Sequence, residues 1–253
     1  MKIYQKILYT PLLFLLFLSI AQAELVGLWH LDEGTGLQTA DSSIYGYNGT
    51  LVGAQWSSGY RGNALQFDGV NDYLRIGNQP ALDMDTTMTL SAWIFPTGPG
   101  GGGYYGGIII NKEGEYEIAR CSDGQITWAI THGGTSWNWT MTGLFAPLNT
   151  WTHIALVYDG ASVKTYGNGV LAHTYAMTGS IGHESSYPTT YEFWIGARQA
   201  GFDQYFQGKI DEVSVFNTAL SQSQIQSLDQ VPEISCWLLA LSGIVFYSVR
   251  KKI

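Results

Sequence analysis

Short apolar and aromatic runs recur along the chain between turn signals, and this pattern constrains the fold most. Ala64–Phe67, Met88–Phe95, Ile108–Asn111, Tyr116–Arg120, Thr152–Tyr158 and Gln207–Phe216 are such runs. Asp68-Gly69, Asp123-Gly124, Asp159-Gly160 and Asn168-Gly169 punctuate the chain. Evenly punctuated short strands predict an antiparallel sandwich or barrel. Asn168-Gly169, between Lys164–Tyr166 and Val170–Thr174, predicts a tight hairpin. One segment reads as helix: Ser221 and Gln224 form a capping-box pair before Ile225 and Leu228. No repeat of 20–50 residues is visible, which excludes propellers and solenoids. The 253 residues are 14% aromatic and 13% charged, unlike a coiled coil or a charged disordered chain.

The two ends read as targeting segments. Residues 1–23 carry Lys2 and Lys6, then the apolar run Leu8 to Ile20, then Ala21-Gln22-Ala23. That order predicts a secretory signal peptide, with the mature chain starting at Glu24. At the other end, residues 231–253 hold Val231-Pro232-Glu233-Ile234, an apolar stretch from Cys236 to Val249, and Arg250-Lys251-Lys252. The apolar stretch is shorter than the roughly 20 residues of a comfortable membrane span. The basic end places it as a stop on the cytoplasmic side. Between the two lies one expected domain, 24–230.

That domain holds 7 Lys and Arg against 19 Asp and Glu, a net charge of -12. Such acidity, with no basic cluster, excludes nucleic acid as an expected partner and favours cations. Cys121 is the lone cysteine of 24–230, so no disulfide forms within it, and a buried inert thiol is expected.

The C-terminal tail resembles the PEP-CTERM sorting signal of Gram-negative bacteria, with Ile234 standing where that family has a second proline. The resemblance implies exosortase-type processing of a chain first tethered to the inner membrane, then placed at the cell surface or outside. A plain C-terminal membrane anchor is the alternative. The domain carries a second resemblance. Its blocks are Gly27-Leu28-Trp29-His30-Leu31-Asp32-Glu33-Gly34, Ala64-Leu65-Gln66-Phe67-Asp68-Gly69, Leu90-Ser91-Ala92-Trp93, Trp151-Thr152-His153-Ile154 and Gly208-Lys209-Ile210-Asp211-Glu212-Val213. In this order they resemble the laminin-G-like, concanavalin A-like jelly-roll family. That implies an all-β fold of two antiparallel sheets, frequent calcium, and binding rather than catalysis.

Three kinds of site follow. Calcium takes several oxygen ligands. Asp32 after the first strand and Asp211 on the last meet if those strands are neighbours, and the resemblance supports a structural Ca2+ there. The competing role for Asp211 is capping backbone amides at a strand bend. Asp68 reads as a turn residue. For carbohydrate, Trp137-Asn138-Trp139 offers aromatic and amide groups together, with Trp137, Trp139 and Met141 on one strand face. Packing in the core is the competing role. Tyr104 and Tyr105 sit in the Gly98–Gly107 loop, expected to be flexible, and are expected to be exposed ligand contacts. His132, His183 and Tyr187 lie in loop-like stretches and are candidate ligand contacts. Trp93, Trp151 and Trp194 are expected to be packing residues. The Gly98, Gly100, Gly103 spacing mimics a dinucleotide motif, but a strand rather than a helix follows it. For catalysis, Glu113, Glu115 and Glu117 alternate, yet they start at a Glu113-Gly114 turn and read as a solvated hairpin edge.

The expected function is therefore an exported, noncatalytic module that binds carbohydrate at the cell surface or in a matrix. A protein–protein adhesion module is the alternative, and a glycoside hydrolase the third reading.

Overall fold

The computed structural model describes residues 24–132, 137–182, 190–199 and 203–230. The expected leader (1–23) and tail (231–253), with His183 and Tyr187, lie outside the described residues. Sixteen strands, one α-helix and a short 3-10 turn at Pro80–Leu82 are described. They are β1 (Leu25–Trp29), β2 (Gln38–Thr39), β3 (Gly49–Val52), β4 (Gln55–Ser58), β5 (Asn63–Asp68), β6 (Tyr73–Gly77), β7 (Met88–Pro96) and β8 (Gly107–Lys112). There follow β9 (Tyr116–Arg120), β10 (Gln125–Ile130), β11 (Trp139–Phe145), β12 (Thr152–Tyr158), β13 (Ser162–Gly167), β14 (Val170–Ala176), β15 (Phe193–Ile195), β16 (Gln207–Phe216) and α1 (Gln222–Gln230).

The strands form two antiparallel sheets, the jelly-roll sandwich that the sequence blocks implied. Sheet A runs β14-β13-β12-β7-β16-β5-β4, with β1 added beside β16. Sheet B runs β11-β10-β9-β8-β15-β6-β3-β2. Alternate residues of each strand point between the sheets. Leu90, Ile94, Ile154 and Leu156 from sheet A meet Ile110, Ile118, Trp128 and Phe193 from sheet B. Trp29 stacks on Phe193 in this core, with ring centres 5.6 Å apart.

Both sheets are also covered in part on their outer faces. Ile225 of α1, with Leu220 just before the helix, packs onto Ala155, Val157, Tyr166 and Phe216 of sheet A. The helix's capping box is formed: Ser221 N donates to Gln224 Oε1 at 2.8 Å. Strand β16 changes neighbours midway. It pairs with β5 up to Ile210 and with β1 from Val213. A bulge lies between, where Glu212 takes φ +50°. Bulges of this kind re-aim side chains, and here Asp211 sits fully buried beside it.

Candidate functional site

The outer face of sheet B carries a row of cross-strand neighbours. Register places Thr50, Arg75, Trp194, Asn111, Glu117, Ala129 and Trp139 side by side. At one end Trp194 stacks on Tyr73, ring centres 4.0 Å apart. At the other end Trp139 stacks on Tyr105 at 4.9 Å and 9°. Trp137 meets Trp139 edge-on at 6.2 Å, and Tyr104 meets Tyr105 edge-on at 5.1 Å. Four of the residues selected from sequence, Tyr104, Tyr105, Trp137 and Trp139, thus form one cluster. None of the four belongs to the buried core; Tyr104 is 45% exposed. Trp137 lies just before β11, which begins at Trp139.

The loop bearing the tyrosines is pinned, contrary to the expectation of flexibility. Ser122 N donates to the Tyr104 carbonyl and the Tyr104 hydroxyl donates to Asp123 Oδ2 at 2.9 Å. That bond pushes the Tyr104 phenol up to about 12. Gly101 N donates to the Tyr205 carbonyl. Arg120, buried, donates from Nε to the Ala146 carbonyl at 2.8 Å and reaches the Gly98 carbonyl at 3.4 Å. Its role was invisible in the sequence because it depends on two loops meeting.

The middle of the face is filled by an ion cluster, which corrects the expected solvated hairpin. Glu113 and Glu117 are wholly buried and Glu115 nearly so. Arg198 grips Glu113 with Nη2–Oε1 at 2.7 Å and Nε–Oε2 at 2.8 Å, and reaches Glu117 at 3.1 Å. Asn111 Nδ2 donates to both glutamates. Burial, with the charge of Glu113 beside it, holds the Glu117 carboxyl well above the usual range. Arg198 arrives on the segment after β15, whose flanks are joined: Arg198 N donates to the Gln204 carbonyl and Phe206 N to that of Gly196. Its guanidinium carbon lies 5.7 and 5.9 Å from the Trp137 and Trp139 ring centres. The cation therefore supports the aromatic cluster from the carboxylates' side.

His132 takes a different place. It bridges Ile181, and its Nδ1 lies 3.1 Å from the Thr178 carbonyl. The three tryptophans expected to be packing residues pack on other aromatic rings, outside the central core. None joins the core between the sheets: Trp93 is buried on the outer face of sheet A, and Trp151 and Trp194 are half-buried on the outer faces of sheets A and B.

Asp32 and Asp211 meet at one loop, as expected from neighbouring end strands. Asp211 Oδ2 accepts from Arg61 N at 3.0 Å and Oδ1 from Glu212 N at 2.9 Å. Asp32 Oδ1 accepts from Asn63 N at 2.8 Å. Asp211 thus caps amides at the bulge. Burial pushes its carboxyl up to about 7, against the pull of those amides and with the charges of Glu212 and Asp32 adding to it. A side chain at Gly62, φ +51°, would collide with Asp32. Among the described residues no three of His, Cys, Asp and Glu converge as a metal-binding group, and neither aspartate has a cationic partner. Asp68 is the turn residue expected, accepting from Val70 N at 2.7 Å. Cys121 is the buried free thiol expected, pushed by burial up to about 11.

The family profile described as concanavalin A-like lectin/glucanases superfamily matches residues 68–226. The chain belongs to that superfamily. No curated protein matches the sequence significantly. Among solved structures, it is similar to domain 4 of an extracellular arabinanase from Geobacillus stearothermophilus, in complex with arabinotriose. The identity is 23% and the TM-score 0.64, over 83% of this chain and 100% of that one. It is also similar to the binding domain of Paraclostridial Mosquitocidal Protein 1, at 15% and 0.64, over 81% of this chain. The receptor-binding domain of a botulinum neurotoxin C/D mosaic serotype follows, at 15% and 0.61, over 81%. The chain spans about half of those last two, 52% and 51%. At these identities the superfamily's fold is what is shared.

Proposed function

We propose that the protein is a noncatalytic carbohydrate-binding module whose ligand lies on the Tyr104–Tyr105–Trp137–Trp139 end of sheet B. The observation that carries this reading is the stacked, nearly parallel Tyr105–Trp139 pair, incompletely buried and supported by Arg198. Sugar rings offer flat C–H faces that stack on such rings, and their hydroxyls suit nearby amides. Rigid support lowers the cost of ordering the site on binding. The similarity to an arabinanase domain solved with arabinotriose supports a neutral glycan as ligand. The two binding domains among the similar structures support recognition over turnover.

A hydrolase has less support. Retaining chemistry uses two carboxyls about 5–5.5 Å apart and open to substrate. Glu113 and Glu117 are fully buried and both held by Arg198. An adhesion module for a surface protein remains the second reading, favoured by the toxin domains.

The proposal includes a structural Ca2+ at Asp32 and Asp211. A buried carboxylate with no ion pair, beside a second carboxylate at the same turn, suits an ion that takes oxygen ligands. It also includes export through the 1–23 leader and tethering or processing through 231–253. Affinity electrophoresis of the purified protein through gels of arabinan and other neutral polysaccharides, with released sugar assayed, tests the reading. Retardation without release supports it. Absence of retardation by any polymer transfers the case to a protein ligand.

A further inference from the structure

The outer face of sheet A bears a second aromatic surface, on the opposite side of the sandwich. Register aligns Gln55, Gln66, Lys209 and Phe95 across β4, β5, β16 and β7, with Trp151 beside Phe95 at 5.4 Å. From the β4–β5 turn, Tyr60 lies flat on Trp93 at 3.5 Å and edge-on to Trp151 at 6.0 Å. Trp93 is sealed beneath it, while Tyr60 itself is 40% exposed. Asp211 and Asp32 fix the turn that presents it, through the amides of Arg61 and Asn63.

The distribution of positive charge makes this surface distinctive. Among the described residues, Arg75, Lys112, Lys164 and Arg198 all pair with carboxylates. Arg120 is buried on carbonyl groups. The two remaining cations of the domain, Arg61 and Lys209, both sit here. Arg61 lies 5.6 Å from the Tyr60 ring centre and Lys209 Nζ 5.8 Å from that of Phe95. Lys209 donates to Ser58 O and Oγ, which leaves one ammonium proton free. Asp229 of α1 feels the Arg61 charge without pairing with it. In a domain of net charge -12, the unpaired cations converge on the exposed Tyr60 ring and the half-buried Phe95 ring, flanked by amides.

We propose that this face is a second glycan site, selective for an acidic polysaccharide. A sugar ring would lie against Tyr60 and Trp151, uronate carboxylates would meet Arg61 and Lys209, and Gln55 and Gln66 would serve hydroxyls. Charge complementarity selects the anionic polymer here. The site is independent of the one on sheet B.

The test is affinity electrophoresis of the purified protein in gels of polygalacturonate or its carboxyl-reduced counterpart, at one calcium concentration too low to gel the polymer. The wild type is expected to bind polygalacturonate at least fivefold more tightly than the reduced polymer in low salt. Raising NaCl to 0.5 M should remove most of that preference, because contacts between exposed charges are screened. Arg61→Gln with Lys209→Gln should lose it, and each single substitution should lose part of it. These substitutions touch no core residue, and an unchanged melting curve verifies the fold. Trp139→Ala should leave polygalacturonate binding intact, which separates this site from the first. Equal binding of both polymers would overturn the proposal. So would loss on Trp139→Ala alone, or binding to phosphatidylglycerol vesicles but not to polygalacturonate.

Discussion

Arg198 and Glu113, 85 residues apart in sequence, meet through two parallel hydrogen bonds of 2.7 and 2.8 Å beneath a pair of tryptophans. The pair ties the segment after β15 to the β8–β9 hairpin. It therefore links the stability of sheet B to the geometry of the aromatic cluster.

Removing Arg198 leaves the buried Glu113 carboxylate without its cation. Arg198→Met should destabilise the fold by about 3–5 kcal/mol, as buried pairs do when one partner is lost, and Glu113→Leu should cost less, because Arg198 keeps Glu117 at 3.1 Å. The double variant Glu113→Leu with Arg198→Met should cost clearly less than the sum. Urea unfolding of the four proteins measures this. Tryptophan emission should shift red in Arg198→Met, since Trp137 and Trp139 lose their support.

His153 predicts a pH dependence. It is buried, its Nε2 lies 2.6 Å from Ser91 Oγ, and its Nδ1 has no hydrogen-bond partner. Burial, with the charge of Arg61 adding to it, lowers its pKa to about 4. The unfolded chain then binds a proton that the folded one refuses between about pH 6.5 and 4. Its contribution is whole above pH 6.5 and is lost as the pH falls through that window, by on the order of 3 kcal/mol. His153→Gln should flatten this part of a stability–pH curve.

The calcium reading makes a separate prediction. At a hundred times its dissociation constant, calcium should add about 2.7 kcal/mol to stability. Asp32→Asn should abolish that gain. Asp211→Asn should in addition cost about 1–3 kcal/mol without calcium, because its amide group cannot accept from both Arg61 N and Glu212 N. Superimposable melting curves with calcium and with chelator would remove the ion from the account.

Much of this fold was readable because local signals agree with the final structure. Tyr116–Arg120, Thr152–Tyr158 and Gln207–Phe216 are strands as expected, and the Ser221–Gln224 capping box starts α1. The short strands β2 and β4, Gln38–Thr39 and Gln55–Ser58, escaped because their residues are polar and their pairing is decided by partners. The aromatic cluster was legible as residues but not as geometry. Trp137 and Trp139 carry the same local pattern whether they face the core or solvent. Arg198 decides the matter from 59 residues further on. The alternating glutamates misled for the same reason: their burial depends on a cation that arrives from a distant segment.

The most direct test of the central claim is the affinity of wild type and Trp139→Ala for neutral polysaccharides, measured side by side. The account predicts retardation of the wild type in at least one neutral gel, arabinan first, with no sugar released. It predicts that Trp139→Ala weakens that binding at least about tenfold, or 1.4 kcal/mol, with the fold intact. Equal retardation of both proteins would contradict a glycan site at Tyr105 and Trp139.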